Sequence, residues 1–220
     1  MNTPALVRRS KDSRRPRASE SAIALALTGF AALFVAVRAN RSAAVDLAIT
    51  VKLQGWRSRR FQRLMAATSW PGFRPQSRVI PPVVVAAWWV SGRPLAATLQ
   101  LGAWGAAGLS TVVKSIVRRP RPLPPAVAVA VSSLGGTSFP SGHVVTYVVF
   151  YGFLAHLVAL HARPTPVRRA GVASLVGLLI LIGPSRVEEG HHWTTDVVAS
   201  YLLGLAYLLG LVRLYDHFRR

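Results

Sequence analysis

Six apolar stretches divide the chain, and most of its charge falls between them. Ser21 to Val37 carries no charged residue and makes ~26 Å of helix, close to the thickness of a bilayer's hydrocarbon core. An uncleaved membrane anchor fits that length better than the short apolar core of a signal peptide. Val79 to Val90 holds Pro81-Pro82 and ends near the Trp88-Trp89 pair, which suits an anchor at the lipid–water interface. Ser91-Gly-Arg-Pro94 predicts a tight turn. Leu95 to Val113 is rich in small residues, among them Gly102, Gly105 and Gly108, which suits close helix packing in lipid. Val144 to Leu160, Ala170 to Ile182 and Val197 to Val212 complete the set, each able to borrow length from its polar ends. The pattern predicts an all-α fold, a six-transmembrane-helix bundle forming one membrane domain over residues 21–215. A basic, unstructured tail at 1–20 and a short tail at 216–220 flank it.

One region departs from this pattern. From Ala43 to Arg78, Asp46, Lys52, Arg59, Arg60 and Arg63 alternate with Val45, Leu47, Ile49, Phe61, Leu64 and Met65. This predicts one or two amphipathic helices lying in the interface between the first two spans, their basic faces toward lipid headgroups. Trp70-Pro-Gly ends the second of them.

Charge and composition narrow the function. Net charge is +20, from 27 Lys and Arg against seven acids, and 51% of residues are hydrophobic. The basic residues gather at the ends of apolar runs, a pattern of membrane surface and anionic substrate, and one that argues against nucleic acid as partner. No cysteine is present, so disulfides and thiolate metal sites are excluded. Six spans put both termini on one side, and the basic tail beside the first span sets that side as cytoplasmic. No oligomeric state is read from the sequence.

Alternating spans bring three polar stretches to one face of the membrane. The third span ends at Lys114-Ser-Ile-Val-Arg118-Arg119-Pro-Arg121-Pro122 and the fourth opens at Pro140-Ser141-Gly142-His143. The fifth ends at Ser185-Arg186 and the sixth begins near His192-Trp-Thr-Thr-Asp196. Lys114, Arg121 and Arg186 are cations that can converge, and Arg presents a planar fork suited to phosphate oxygens. A helix opening at Ser141-Gly142 offers free N–H groups and a positive dipole end to an anion. His143 and His192 sit on different helices, so one can attack while the other protonates a leaving group. His192 and Asp196 are four apart, on one helix face, where the carboxylate can hold the imidazole. The ligand class is a tetrahedral oxyanion, most simply phosphate. Outside the amino-terminal tail the carboxylates are few, which argues against a two-metal site and leaves no metal expected.

Lys114-x6-Arg121-Pro122, Pro140-Ser141-Gly142-His143 and Ser185-Arg186-x5-His192-x3-Asp196 together resemble the three-part signature of the type 2 phosphatidic acid phosphatase superfamily, in order and in spacing. The resemblance extends over roughly Val45 to Tyr215. It implies a metal-independent membrane phosphatase without a cofactor, acting on a lipid phosphate. By it, His192 is the nucleophile that forms a phosphohistidine and Asp196 holds its other ring nitrogen. His143 is the general acid and then the base for water. Lys114, Arg121, Ser141, Gly142 and Arg186 bind the phosphoryl oxygens. The bacterial branch points first to undecaprenyl pyrophosphate, with phosphatidic acid, phosphatidylglycerol phosphate or a phosphorylated prenyl-sugar lipid as alternatives. The Arg- and Ala-rich composition points to a bacterial inner membrane, and cytoplasmic termini put the active site on its outer, periplasmic side. A vanadate-dependent haloperoxidase shares the pocket, but its known members are soluble. A membrane protein that only binds phosphate would not need His143, His192 and Asp196.

The remaining polar residues have plainer readings. Arg118 and Arg119 read as interfacial charges meeting headgroups, and Glu188 and Glu189 as loop charges or a filter on entering headgroups. His191 lacks the spacing to Asp196 and reads as a rim or hydrogen-bonding residue. Tyr147, Phe150 and Tyr151 read as core, with one or two of them able to contact the lipid chain.

Overall fold

Each apolar run becomes a helix that reaches into its polar flanks. The computed structural model describes residues 18–56, 58–130 and 135–220, and the regular elements among them are all helical. They are α1 (Ala18–Arg38), α2 (Ala43–Gln54), α3 (Arg59–Ser69), α4 (Gln76–Val90), α5 (Pro94–Val117), α6 (Gly142–His161), α7 (Pro166–Glu188) and α8 (Thr194–Phe218). A short 3-10 turn at Trp70–Gly72 separates α3 from α4. Of the predicted basic tail, Ala18 to Glu20 form the first turn of α1 and the rest lies outside the described residues. At the other end α8 continues through Asp216.

Four helices, α1, α6, α7 and α8, are long and apolar enough to cross a membrane. The 24-residue α5 has the length, but Gln100, Ser110 and its glycines dilute its apolarity. The 15 residues of α4 reach only ~22 Å.

Local chemistry sets the boundaries. Pro94 and Pro166 stand in the first turns of α5 and α7, where a missing N–H costs nothing. Thr165 caps α7, its hydroxyl oxygen accepting from the Arg168 amide at 3.2 Å. α5 ends at Arg118, whose left-handed backbone (φ 51°) returns its N–H to Lys114 O at 3.1 Å. Pro120 and Pro122 then prevent continuation.

Within lipid, helices associate through close packing and satisfied polar groups rather than apolar burial alone. α5 buries Ala96, Gln100, Ala103, Ala106, Ser110 and Val113, spaced three or four apart. The glycines expected at this contact do not make it: Gly102, Gly105 and Gly108 face open space, and the alanines pack instead. Gln100 donates to Phe150 O at 2.9 Å, where α6 widens into a π-turn at Tyr147–Tyr151 and frees a carbonyl. From α8 the Tyr201 hydroxyl accepts from the Gly183 amide of α7 at 2.9 Å and donates to Leu179 O at 2.7 Å. That hydroxyl repairs the ladder beside Pro184, just before the turn that carries Arg186.

The segment between α1 and α4 resolves into two helices with opposite habits. α3 keeps Arg59, Arg60 and Arg63 exposed and buries Met65, Thr68 and Ser69, as an interfacial helix should. α2 corrects the expectation. Its buried stripe is polar, Ser42, Asp46 and Thr50, while Val45, Leu47, Ile49 and Val51 face outward. The charge at Asp46 points into the protein, not toward headgroups.

Candidate active site

The ends of α5, α6, α7 and α8 meet as the topology requires. Lys114, Arg121, Gly142, His143 and His192 line one cavity of about 450 Å³. Ser141, Arg186 and Asp196 are buried beside it and do not line it.

The His192 ring is oriented by its surroundings. Nδ1 lies 2.8 Å from Ser138 O, and a carbonyl can only accept, so Nδ1 carries the hydrogen. Nε2 therefore keeps its lone pair, 3.4 Å from Arg121 Nη1 on the cavity side. Asp196 Oδ2 stands 3.6 Å from Nδ1, beyond hydrogen-bond range, and acts on the ring as a nearby charge. Burial pushes the imidazole down to about 4 against the pull of Asp196, with Lys114 and Arg121 adding to the fall. The neutral form is the one a nucleophile needs.

Nothing in Ser138-Phe139-Pro140 marks the Ser138 carbonyl as functional from the sequence alone. Its place comes from the loop's own bonds. The Ser138 amide donates to Arg119 O at 2.8 Å and its hydroxyl to Pro120 O at 3.0 Å. Lys114 Nζ donates to Thr137 O at 2.6 Å, so this cation positions the loop as well as facing the cavity. Gln54 pins the same long connection farther along, exchanging bonds with Ala128 and donating to Glu188 O at 2.9 Å.

Asp196 has stronger partners than His192. Its Oδ1 accepts from Arg119 Nη1 at 2.7 Å and its Oδ2 from the Trp193 amide at 2.9 Å. Arg119 also donates to Asp46 Oδ2 at 2.6 Å and to the hydroxyls of Thr195 and Ser42. Asp46 in turn accepts from the Thr195 amide at 2.8 Å. The reading of Arg119 as a headgroup contact is thus overturned: it is held between two buried carboxylates. Arg118 is exposed, as expected.

Arg186 sits in a second buried cluster. Nη1 reaches Glu189 Oε2 and Ser69 Oγ, both at 2.8 Å, and the guanidinium lies 5.2 Å from the centre of the Phe73 ring. Glu189 is 8% exposed, so it is no loop charge in water. Burial raises its carboxyl above the usual range, opposed by Arg186 and the Ser69 hydroxyl. His191, read as a rim or hydrogen-bonding residue, is buried with Nδ1 3.2 Å from Glu189 Oε2. Tyr147 donates to Thr68 O at 3.0 Å, fastening α6 to α3 behind the cavity.

His143 faces the cavity with Nε2 buried and without a hydrogen-bond partner. Its ring packs 5.3 Å from that of Phe73, and a Cβ at Gly72 would stand 2.3 Å from His143 Cδ2. Gly72 is therefore what lets the 3-10 turn close over this histidine. Gly190 makes the opposite turn possible: at φ 68° it lets the His191 and His192 amides return to Arg186 O at 3.1 and 3.2 Å. A Cβ there would meet Ala128 O at 2.1 Å. Gly190→Ala is expected to cost about 2–4 kcal/mol, from strain plus a backbone clash, read as a lower unfolding temperature in detergent.

Among the described residues no three His, Asp or Glu side chains converge in a way that could hold a metal ion. The arrangement offers one neutral imidazole, a second histidine across the same cavity, and cations around them.

Comparison with known proteins agrees with the three-part pattern. The profile of the PAP2 superfamily matches residues 95–220. The chain is 35% identical over 80 residues to phosphatidylglycerophosphatase B of Bacillus subtilis, covering 36% of this chain and 39% of that protein. It is 31% identical over 106 residues to the decaprenylphosphoryl-5-phosphoribose phosphatase of Mycobacterium tuberculosis, covering 47% of this chain and 51% of the relative. These matches span about half of the relatives' length or less. The fold is similar to the crystal structure of a transmembrane PAP2-type phosphatidylglycerolphosphate phosphatase from Bacillus subtilis. The TM-score is 0.79 at 23% identity, covering 90% of this chain and 98% of that one.

Proposed function

The chain belongs to the PAP2 superfamily and is an integral membrane protein, and from that premise we propose that it hydrolyses the phosphate of a lipid headgroup through a phosphohistidine on His192. The observation that carries the proposal is the ring orientation of His192: Nδ1–H is committed to Ser138 O, so Nε2 meets the cavity as a lone pair. Nε2 attacks phosphorus while the bond to the leaving oxygen breaks. His143 gives that oxygen a proton, then takes one from the water that cleaves the P–N bond, releasing phosphate and restoring His192. Lys114 and Arg121 on the wall, with Gly142 at the opening of α6, hold the phosphoryl oxygens as charge develops. Ser141 and Arg186 support the same group from behind, and Asp196 stabilises the ring as it gains charge.

The spanning count belongs to this proposal too. α4 and α5 form an antiparallel pair joined by Ser91-Gly92-Arg93, and we read them as the remaining two of six crossings. That reading has support in the meeting of the ends of α5 to α8. It places the termini in the cytoplasm and the site at the outer face of a bacterial inner membrane.

The bacterial branch of the family resemblance favours undecaprenyl pyrophosphate as substrate. The names of the two relatives favour a second reading, phosphatidylglycerol phosphate or a phosphorylated prenyl-sugar lipid.

The test is phosphate release from such a lipid panel by the purified protein in neutral detergent, with and without EDTA. Release from at least one lipid, unchanged by EDTA, is the expected result; no release from any, or release abolished by EDTA and rescued by magnesium, contradicts the proposal. The same assay over pH checks the nucleophile. With its ionisation at about 4, His192 stays neutral from pH 7 down to about 5. Corrected for the substrate's own ionisation, kcat/KM should show no acid limb near 6.5 and should fall only as pH drops through about 4.

A further inference from the structure

The cavity holds more positive charge than one phosphoryl group needs. Four cations line it, Arg74, Arg78, Lys114 and Arg121, and no carboxylate does. Two further cations, largely buried beside it, are already matched. Arg119 lies between Asp46 and Asp196, and Arg186 is paired with Glu189. Lys114 and Arg121 bond to the neutral carbonyls of Thr137 and His191, so both keep their charge for a phosphoryl group beside His192. Arg74 and Arg78 stand within ion-pair distance of no carboxylate among the described residues.

Both arginines are exposed, and the turn that precedes them is fixed against the reacting centre. Arg74 follows Phe73, whose ring packs against His143 at 5.3 Å and against the Arg186 guanidinium at 5.2 Å. The neighbouring Gly72 leaves no room for a side chain between that turn and His143. Arg78 stands in the first turn of α4, where no acidic residue offsets it and the helix dipole makes a cation unfavourable. An anion between them relieves that cost, and the arginine fork suits a phosphate oxygen pair.

We infer that Arg74 and Arg78 form a second anion subsite in this cavity, and that the headgroup carries two phosphate groups, one at His192 and one at the arginines. This deepens the phosphatase reading and rests on it for the first phosphate. A diphosphate and a headgroup with two phosphates separated by a polyol share this chemistry; a headgroup with a single phosphate lacks it. The competing role for exposed arginines at this depth is attraction to bulk anionic lipid.

The test uses the full chain in neutral detergent without anionic lipid, comparing wild type with Arg74→Gln/Arg78→Gln. One arm measures binding of inorganic pyrophosphate and of orthophosphate by calorimetry. The other measures kcat/KM for a lipid diphosphate, a lipid with two polyol-separated phosphates, and a lipid monophosphate of matched chain. Wild type should prefer the two-phosphate ligand in both arms. The double variant should lower the two-to-one preference about 30-fold, as expected for losing two solvent-exposed ion pairs of about 5-fold each. A preference absent in wild type, or one that the variant leaves in place, overturns the subsite. Which of the two-phosphate lipids shows the larger loss tells whether the groups are adjacent or separated. If wild type hydrolyses no lipid yet binds pyrophosphate through these arginines, the phosphatase reading fails and the subsite stands. Hydrolysis with equal kcat/KM for one and two phosphates removes the subsite and leaves the phosphatase reading in place.

Discussion

His192→Ala is expected to reduce lipid phosphate hydrolysis by about 10⁴-fold or more, to the level of the uncatalysed background in the same detergent. The size follows from the site. No other side chain on the cavity wall presents a neutral nitrogen with its lone pair fixed by a bond on the far side of the ring. His143 also lines the cavity, with its own Nε2 unpartnered, but among the described residues no hydrogen bond like that from His192 Nδ1 to Ser138 O fixes its tautomer. His143→Ala removes proton transfer and should cost less, about 10²- to 10⁴-fold. A His192→Ala protein that keeps more than about 1% of activity would mean that the attacking atom lies elsewhere.

The largest expected effect on stability is at Arg119. Its side chain is 11% exposed and joins two carboxylates that are wholly buried, Asp46 on α2 and Asp196 on α8. Arg119→Met leaves both charges without a cation, and breaking a buried pair in this way costs about 3–5 kcal/mol. The measurement is thermal or denaturant unfolding in detergent. Adding Asp46→Asn to Arg119→Met should recover part of the loss, because one orphaned charge is then gone. A loss within about 0.5 kcal/mol, the range of ordinary surface substitutions, would show that the cluster does not bind α2 to the bundle.

These two predictions draw on features of unequal visibility in the sequence. Lys114, Arg121, His143 and His192 can be assembled from the chain alone, because each lies at or just beyond a helix end and successive helices that run up and down bring such ends together. Their spacing along the chain is local information. Ser138 and Arg119 are hidden because the connection between α5 and α6 has no periodicity. Its path is set by non-local bonds, those of Gln54 to Ala128 and of Arg119 to Asp46. Asp46 misleads for a different reason. Ser42, Asp46 and Thr50 recur every four residues, a readable helix stripe, but the usual rule turns the polar stripe outward. In lipid the rule inverts when polar groups have partners inside, and α2 exposes Val45 and Ile49 instead. Glu189 looks like a loop charge because its partners, Arg186 and Ser69, come from a neighbouring turn and a distant helix.

The glycines of α5 repeat the point in apolar terms. Small residues mark that helix as a close-packing element, yet composition does not say which of them faces the contact. The three- and four-residue spacing of Ala96, Gln100, Ala103 and Ala106 holds that answer.

Covalent catalysis by His192 is tested most directly by trapping the intermediate. A lipid substrate labelled in the transferred phosphate is mixed with excess protein and quenched in alkali, where phosphohistidine survives, and the labelled peptide is sequenced. Label is expected on His192, absent from His192→Ala and lost on brief acid treatment. Turnover with no protein-bound label, or label on any other residue, would contradict a phosphohistidine at this position.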